Sequence, residues 1–117
     1  MVEEQKAIEH VVRSLGLSGR TLSSRQLIMA VELAYFDRTL LQYVTKGLYI
    51  EVAAKSGHSN WKSVERNLRI ARDRVWERAD RSLLDQMAGY QLKKKPSTGE
   101  LIDMLCCSLD KELRFLY

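Results

Sequence analysis

Residues 48–78 read LYIEVAAKSGHSNWKSVERNLRIARDRVWER, and this stretch decides the fold class. Leu48, Val52 and Ala53 fall on one side of a short helix predicted over 48–55. Residues 56–60, with Gly57 among them, read as a turn. A long helix is then predicted from Trp61 to about Ala79, with Val64, Leu68, Ala71 and Val75 recurring at steps of four, three and four. Together these make a helix-turn-helix over about 48–78. Ala53 is the small residue where the second helix crosses, Gly57 opens the turn, and the apolar anchors face the first helix. The anchors come one residue later than the commonest spacing, so the turn is expected to be one residue longer.

The opposite face of the second helix points to a polyanion. Lys62, Arg66, Arg69 and Asp73 form one stripe, with Glu65 and Arg72 beside it. From Trp61 to Arg81 there are seven basic residues (Lys62, Arg66, Arg69, Arg72, Arg74, Arg78, Arg81) against four acidic ones (Glu65, Asp73, Glu77, Asp80). Most of the chain's net charge of +4 thus sits on this element. A guanidinium fork matches guanine O6 and N7 in the major groove, and a carboxylate can accept from cytosine N4. The competing reading is a solvated face laced with i, i+4 ion pairs such as Glu65–Arg69.

Outward from this pair the chain reads as an all-α, compact bundle of about six helices. The first covers about Glu3 to Leu15, with Ala7, Ile8, Val11, Val12 and Leu15 on one face, and Gly16 stops it. Leu17–Leu22 reads as a loop, and Ser23 or Ser24 as the cap of a second helix that carries Leu27, Ile28, Val31 and Ala34 inward. Asp37 can cap a short third helix, and Thr45-Lys46-Gly47 reads as a connector. After the long basic helix a short one is predicted at Leu83–Ala88, then a loop with Lys93-Lys94-Lys95-Pro96. Ser97 and Glu100 form a capping box for a last helix through Leu101, Ile102, Leu105, Leu109 and Leu113.

The bulk numbers agree. The 117 residues suffice for one hydrophobic core, and 45% apolar with 29% charged residues is ordinary for a globular domain. The most apolar stretch, Leu27–Phe36, is about half a membrane span in length and contains Glu32. The acidic start is no signal peptide. Cys106 and Cys107 are adjacent and cannot easily pair in a helix, which points to a reduced, cytoplasmic setting. His10 and His58 lack companions at ligand spacing, so no metal and no cofactor is expected. No nucleophile–base or phosphate-loop arrangement is legible, so the chain reads as a non-enzyme. Trp61 and Trp76 read as packing residues. His58, in the turn, and Lys93–Lys95 are candidates for phosphate contact. Of the two cysteines, one is expected to be buried and one half-exposed.

Several stretches resemble a known family: Thr45-Lys46-Gly47-Leu48-Tyr49-Ile50-Glu51-Val52-Ala53, Val64-Glu65-Arg66-Asn67-Leu68-Arg69, Trp76-Glu77-Arg78, and Lys95-Pro96-Ser97 leading to Glu100-Leu101-Ile102. They resemble the C-terminal effector domain of stage zero sporulation protein A, a sporulation response regulator, over about Val12 to Leu109. The resemblance implies a six-helix fold whose long basic helix enters the major groove, with Glu65, Arg66 and Arg69 reading bases. It also implies tandem binding to a repeated short box and contact with an RNA polymerase sigma factor. The sequence departs from the family at Ile70, where a histidine is usual, in the longer turn, and at the Pro96-Ser97-Thr98-Gly99 start of the last helix.

The resulting expectation is a single DNA-binding domain over 1–117, a sequence-specific transcription regulator with no receiver domain, either excised from a longer protein or a stand-alone relative. Lys62, Arg72, His58, Lys94 and Lys95 are expected on the DNA backbone. The chain is expected to be mostly monomeric alone and paired on tandem sites, with no membrane partner. The rival reading is a helical protein–protein adaptor that keeps the fold without operator binding.

Overall fold

A computed structural model describes residues 2–57 and 60–114. Among them the chain forms α1 (Val2–Ser14), α2 (Leu22–Phe36), α3 (Tyr49–Ser56), α4 (Trp61–Arg78), α5 (Arg81–Ala88) and α6 (Thr98–Arg114), and no strand. A 3-10 turn (Arg38–Gln42) and a π turn (Val44–Leu48) link α2 to α3. The all-α bundle of six helices expected from the sequence is what forms.

Helix α2 is the hub, packing against α1, α3, α4 and α6. Leu27, Ala30, Val31 and Ala34 are buried along it, and the two alanines leave room for close neighbours. α1 adds Ile8, Val11 and Val12, the turn after it adds Leu15, and α6 adds Leu101, Ile102, Leu105 and Leu109 to the same core. Cys106 is also buried, and burial pushes its thiol up to about 12, whereas Cys107 is exposed. One cysteine inside and one outside is the arrangement the sequence suggested.

Side chains fix the helix starts by accepting hydrogen bonds from orphan backbone N–H groups. Asn60 Oδ1 accepts from Ser63 N at 2.9 Å to start α4, and Asp80 Oδ1 accepts from Ser82 N at 2.8 Å to start α5. The Ser97–Glu100 capping box forms in both directions. Ser97 Oγ accepts from Glu100 N at 3.1 Å, and Glu100 Oε1 accepts from Ser97 N at 2.9 Å. The bond from the Ser97 backbone N–H, foremost, holds the Glu100 carboxyl below its ordinary range.

Three local expectations are corrected. Thr21, not Ser23 or Ser24, caps α2. Its extended backbone lets Oγ1 accept from Ser24 N at 3.2 Å, while both serines lie buried inside the first turn. Residues 45–47 are not a free connector but part of the π turn, with Leu48 N donating to Tyr43 O at 3.2 Å. α5 begins two residues before Leu83 because Asp80 supplies the cap.

At two of the three positive-φ glycines the reason for the residue differs. Gly57 ends α3 at φ +82, and a Cβ there would touch nothing within 4 Å, so backbone conformation rather than space selects it. Gly16, at φ +86, also lies so close to α4 that its Cβ would meet Arg78 Cβ at 3.3 Å.

Leu68 is completely buried at the heart of the α2–α3–α4 packing. Leu68→Ala should destabilise the chain by about 2–5 kcal/mol through lost contacts and a cavity. An unchanged urea midpoint would contradict this placement.

Candidate nucleic-acid interface

The residues that α4 buries determine which it presents. Val64, Leu68, Ala71 and Val75 are all at or near zero exposure, as the spacing predicts. At 100° per residue, Lys62, Arg66, Arg69 and Asp73 then lie opposite the core. Lys62, Arg66 and Arg69 are exposed and Asp73 is partly so. Ile70 is half-buried at the edge of this stripe.

The flank toward α2 is held by polar bonds. Gln26, wholly buried, accepts from Asn67 Nδ2 at 3.0 Å and donates from Nε2 to Ser56 Oγ at 3.3 Å. Ser56 Oγ in turn donates to Val52 O at 2.8 Å. One buried amide thus joins α2, the end of α3 and the middle of α4. Farther along, an Arg74 terminal nitrogen donates to Ser23 Oγ at 3.3 Å.

The other flank meets the start of α6. Glu65, Arg69 and Arg72 line a shallow hollow with Tyr49, Ser97, Thr98 and Gly99. The Tyr49 phenol, which shares this hollow with Thr98, is pushed up by burial. Arg69 pairs with Glu65 at 3.1 Å, so the i, i+4 pair of the solvated-face reading does form in the free chain. Arg72 Nε and Lys95 Nζ both donate to Asp73 Oδ1, at 3.0 and 2.9 Å. Lys95 foremost, then Arg72, holds the Asp73 carboxyl below its ordinary range.

Of the residues singled out from sequence, Lys62, Glu65, Arg66, Arg69 and Arg72 share α4, and the Asp73 contact brings Lys95 beside them. Lys94 precedes Lys95 in the same loop and is exposed. His58 lies outside the described residues. Trp61 and Trp76 pack against the core as expected, with Lys62 Nζ 5.8 Å from the ring centre of Trp61 and Arg81 stacked 3.5 Å over Trp76. Sequence reading missed Gln26, although its place four residues before Ala30 on the buried side of α2 marks it as an inward polar residue. It also missed the Asp73–Lys95 pair, which has no local signature.

Among the described residues, no group of three or more His, Cys, Asp or Glu could hold a metal, and no helix is long and apolar enough to cross a membrane.

The family described as "Sporulation initiation factor Spo0A C terminal" matches residues 8–109. The chain belongs to this family. The Spo0A C-terminal domain is the DNA-binding effector part of a sporulation response regulator, and the family is regulatory, not one of enzymes. The match runs from the first buried residue of α1 to Leu109 in α6, so it takes in α3, the turn, α4 and the Lys95 loop.

Gln26 is the buried polar centre of this Spo0A-type domain. Gln26→Leu keeps the volume but strands the half-buried Asn67 amide, and should cost about 1–3 kcal/mol in chemical denaturation. Stability equal to the parent would show that the bridge contributes nothing.

Proposed function

We propose that the chain binds DNA sequence-specifically, with α4 in the major groove and Glu65, Arg66 and Arg69 reading base edges. The observation that carries the reading is the rotation of α4: its buried stripe leaves Lys62, Arg66 and Arg69 outward, in a chain whose family binds DNA. α4 is 18 residues long and capped by Asn60, so the exposed stripe begins within its first turn. A helix of this kind fits the major groove, and Arg is the side chain best suited to guanine. The Glu65–Arg69 pair orients both groups before binding and can open toward the bases, since exposed ion pairs are weak.

Lys62, Arg72, Lys94 and Lys95 are assigned to the DNA backbone, where they fix register without reading sequence. His58 is assigned there on its place in the turn alone. The family membership supports two copies on tandem boxes, contact with a sigma factor, and action as a cytoplasmic transcription regulator. The isolated chain is expected to be mostly monomeric and to have no catalytic activity.

Titration of a labelled duplex carrying the family's box, against a random duplex at two salt concentrations, tests the assignment. Arg66→Ala or Arg69→Ala should each cost about 1–3 kcal/mol on the box and relax specificity there, with folding unchanged. Lys62→Ala should weaken both duplexes alike and lower the salt slope by about one unit. Equal binding of box and random DNA by the parent would instead favour the adaptor reading, and one chain per two-box duplex at saturation would refute tandem binding.

A further inference from the structure

Asp73 is out of place on the stripe it occupies. It lies four residues after Arg69 and seven after Arg66, facing away from the core among the cations proposed to meet DNA. A carboxylate there opposes a polyanion, and by charge alone the surface would bind better without it.

Its contacts give it a role. A single oxygen, Oδ1, accepts from Arg72 Nε at 3.0 Å and from Lys95 Nζ at 2.9 Å. Arg72 belongs to α4, whereas Lys95 belongs to the segment between α5 and α6. The carboxylate is therefore the link that sets a loop lysine beside the long helix. The donors it uses also matter. Binding through Nε leaves the two terminal nitrogens of the Arg72 guanidinium for another acceptor, and an ammonium has three donors, of which Asp73 takes one. The Arg72 side chain is only 18% exposed, so its direction is fixed by packing as well as by the carboxylate. Two cations around one carboxylate leave a net positive cluster with spare donors, which is the complement of a single phosphodiester.

We propose that Asp73 is a positioning residue: it aligns Arg72 and Lys95, from two different elements, as a preformed clamp for one DNA backbone phosphate. The gain comes from ordering the lysine before binding rather than during it. This inference rests on the DNA-binding reading given above.

The test is a double-mutant cycle on the box duplex at two salt concentrations, with the parent, Asp73→Asn, Lys95→Ala and the double variant. In the parent background Lys95→Ala should weaken binding about three- to tenfold and lower the salt slope by about one unit. In the Asp73→Asn background the same change should have less than about half that effect on the logarithm of affinity, because Lys95 is no longer placed. Asp73→Asn itself should weaken binding despite removing a negative charge, and Asp73→Glu should restore part of the loss. Thermal melting of each variant separates a folding defect from a binding one. Tighter binding by Asp73→Asn, or a Lys95→Ala effect that is as large or larger without the carboxylate, would overturn the proposal, since Asp73 would then merely repel DNA or sequester the lysine. A parent that fails to prefer the box would instead remove the DNA-binding reading itself.

Discussion

Burial of Val64, Leu68, Ala71 and Val75 sets the rotation of α4, and the arrangement of the charged surface follows from that rotation. A helix has one free parameter once its axis is placed, the angle about that axis. Four side chains at steps of four, three and four, all removed from water, leave no second angle of comparable stability. A turn of 100° that brought Glu65 and Arg72 into the core would carry Val64 and Ala71 toward solvent. The exposed arginines are therefore aimed by residues buried in the core.

The same stripe is supported from both sides by different chemistry. Toward α2 the support is polar and buried: Gln26 joins Asn67 to Ser56 and so ties the long helix to the end of the short one. Buried amides are tolerated when their partners are in place, and they then specify a single packing. Toward α6 the support is partly exposed and ionic, with Asp73 holding Arg72 and Lys95. The rigid flank suits the side that must keep its geometry. The ionic flank suits the side where donors are proposed to be shared with phosphate, because exposed pairs rearrange at little cost.

Much of this was legible in the sequence wherever the signal was local and periodic. The stripe on α4, the Ser97–Glu100 box, the glycine at 57 and the split fates of Cys106 and Cys107 each depend on residues a few positions apart, and each is found in the structure. The start of α2 was misread because three hydroxyl residues in four compete for one cap. Thr21 wins because Ser23 and Ser24 are buried in the first turn. The π turn was missed because its hydrogen bonds carry no side-chain pattern. In the candidate site, the α4 side chains were placed from periodicity, and the buried stripe of α4 lies where that periodicity put it. The contacts that organise them are Gln26 with Asn67 and Asp73 with Lys95. They span 41 and 22 positions of sequence, and only the packed fold brings them together.

The central claim is that one face of the molecule, built from α4 and the Lys94–Lys95 loop, meets DNA while the rest of the bundle only holds it. Backbone amide shifts recorded by NMR during titration with the box duplex test this most directly. The account predicts that the largest changes fall on residues 62–73 and 93–99, while α1 and the second half of α6 stay nearly unchanged. Changes centred on α1 or on the second half of α6, with residues 62–73 unaffected, would contradict it.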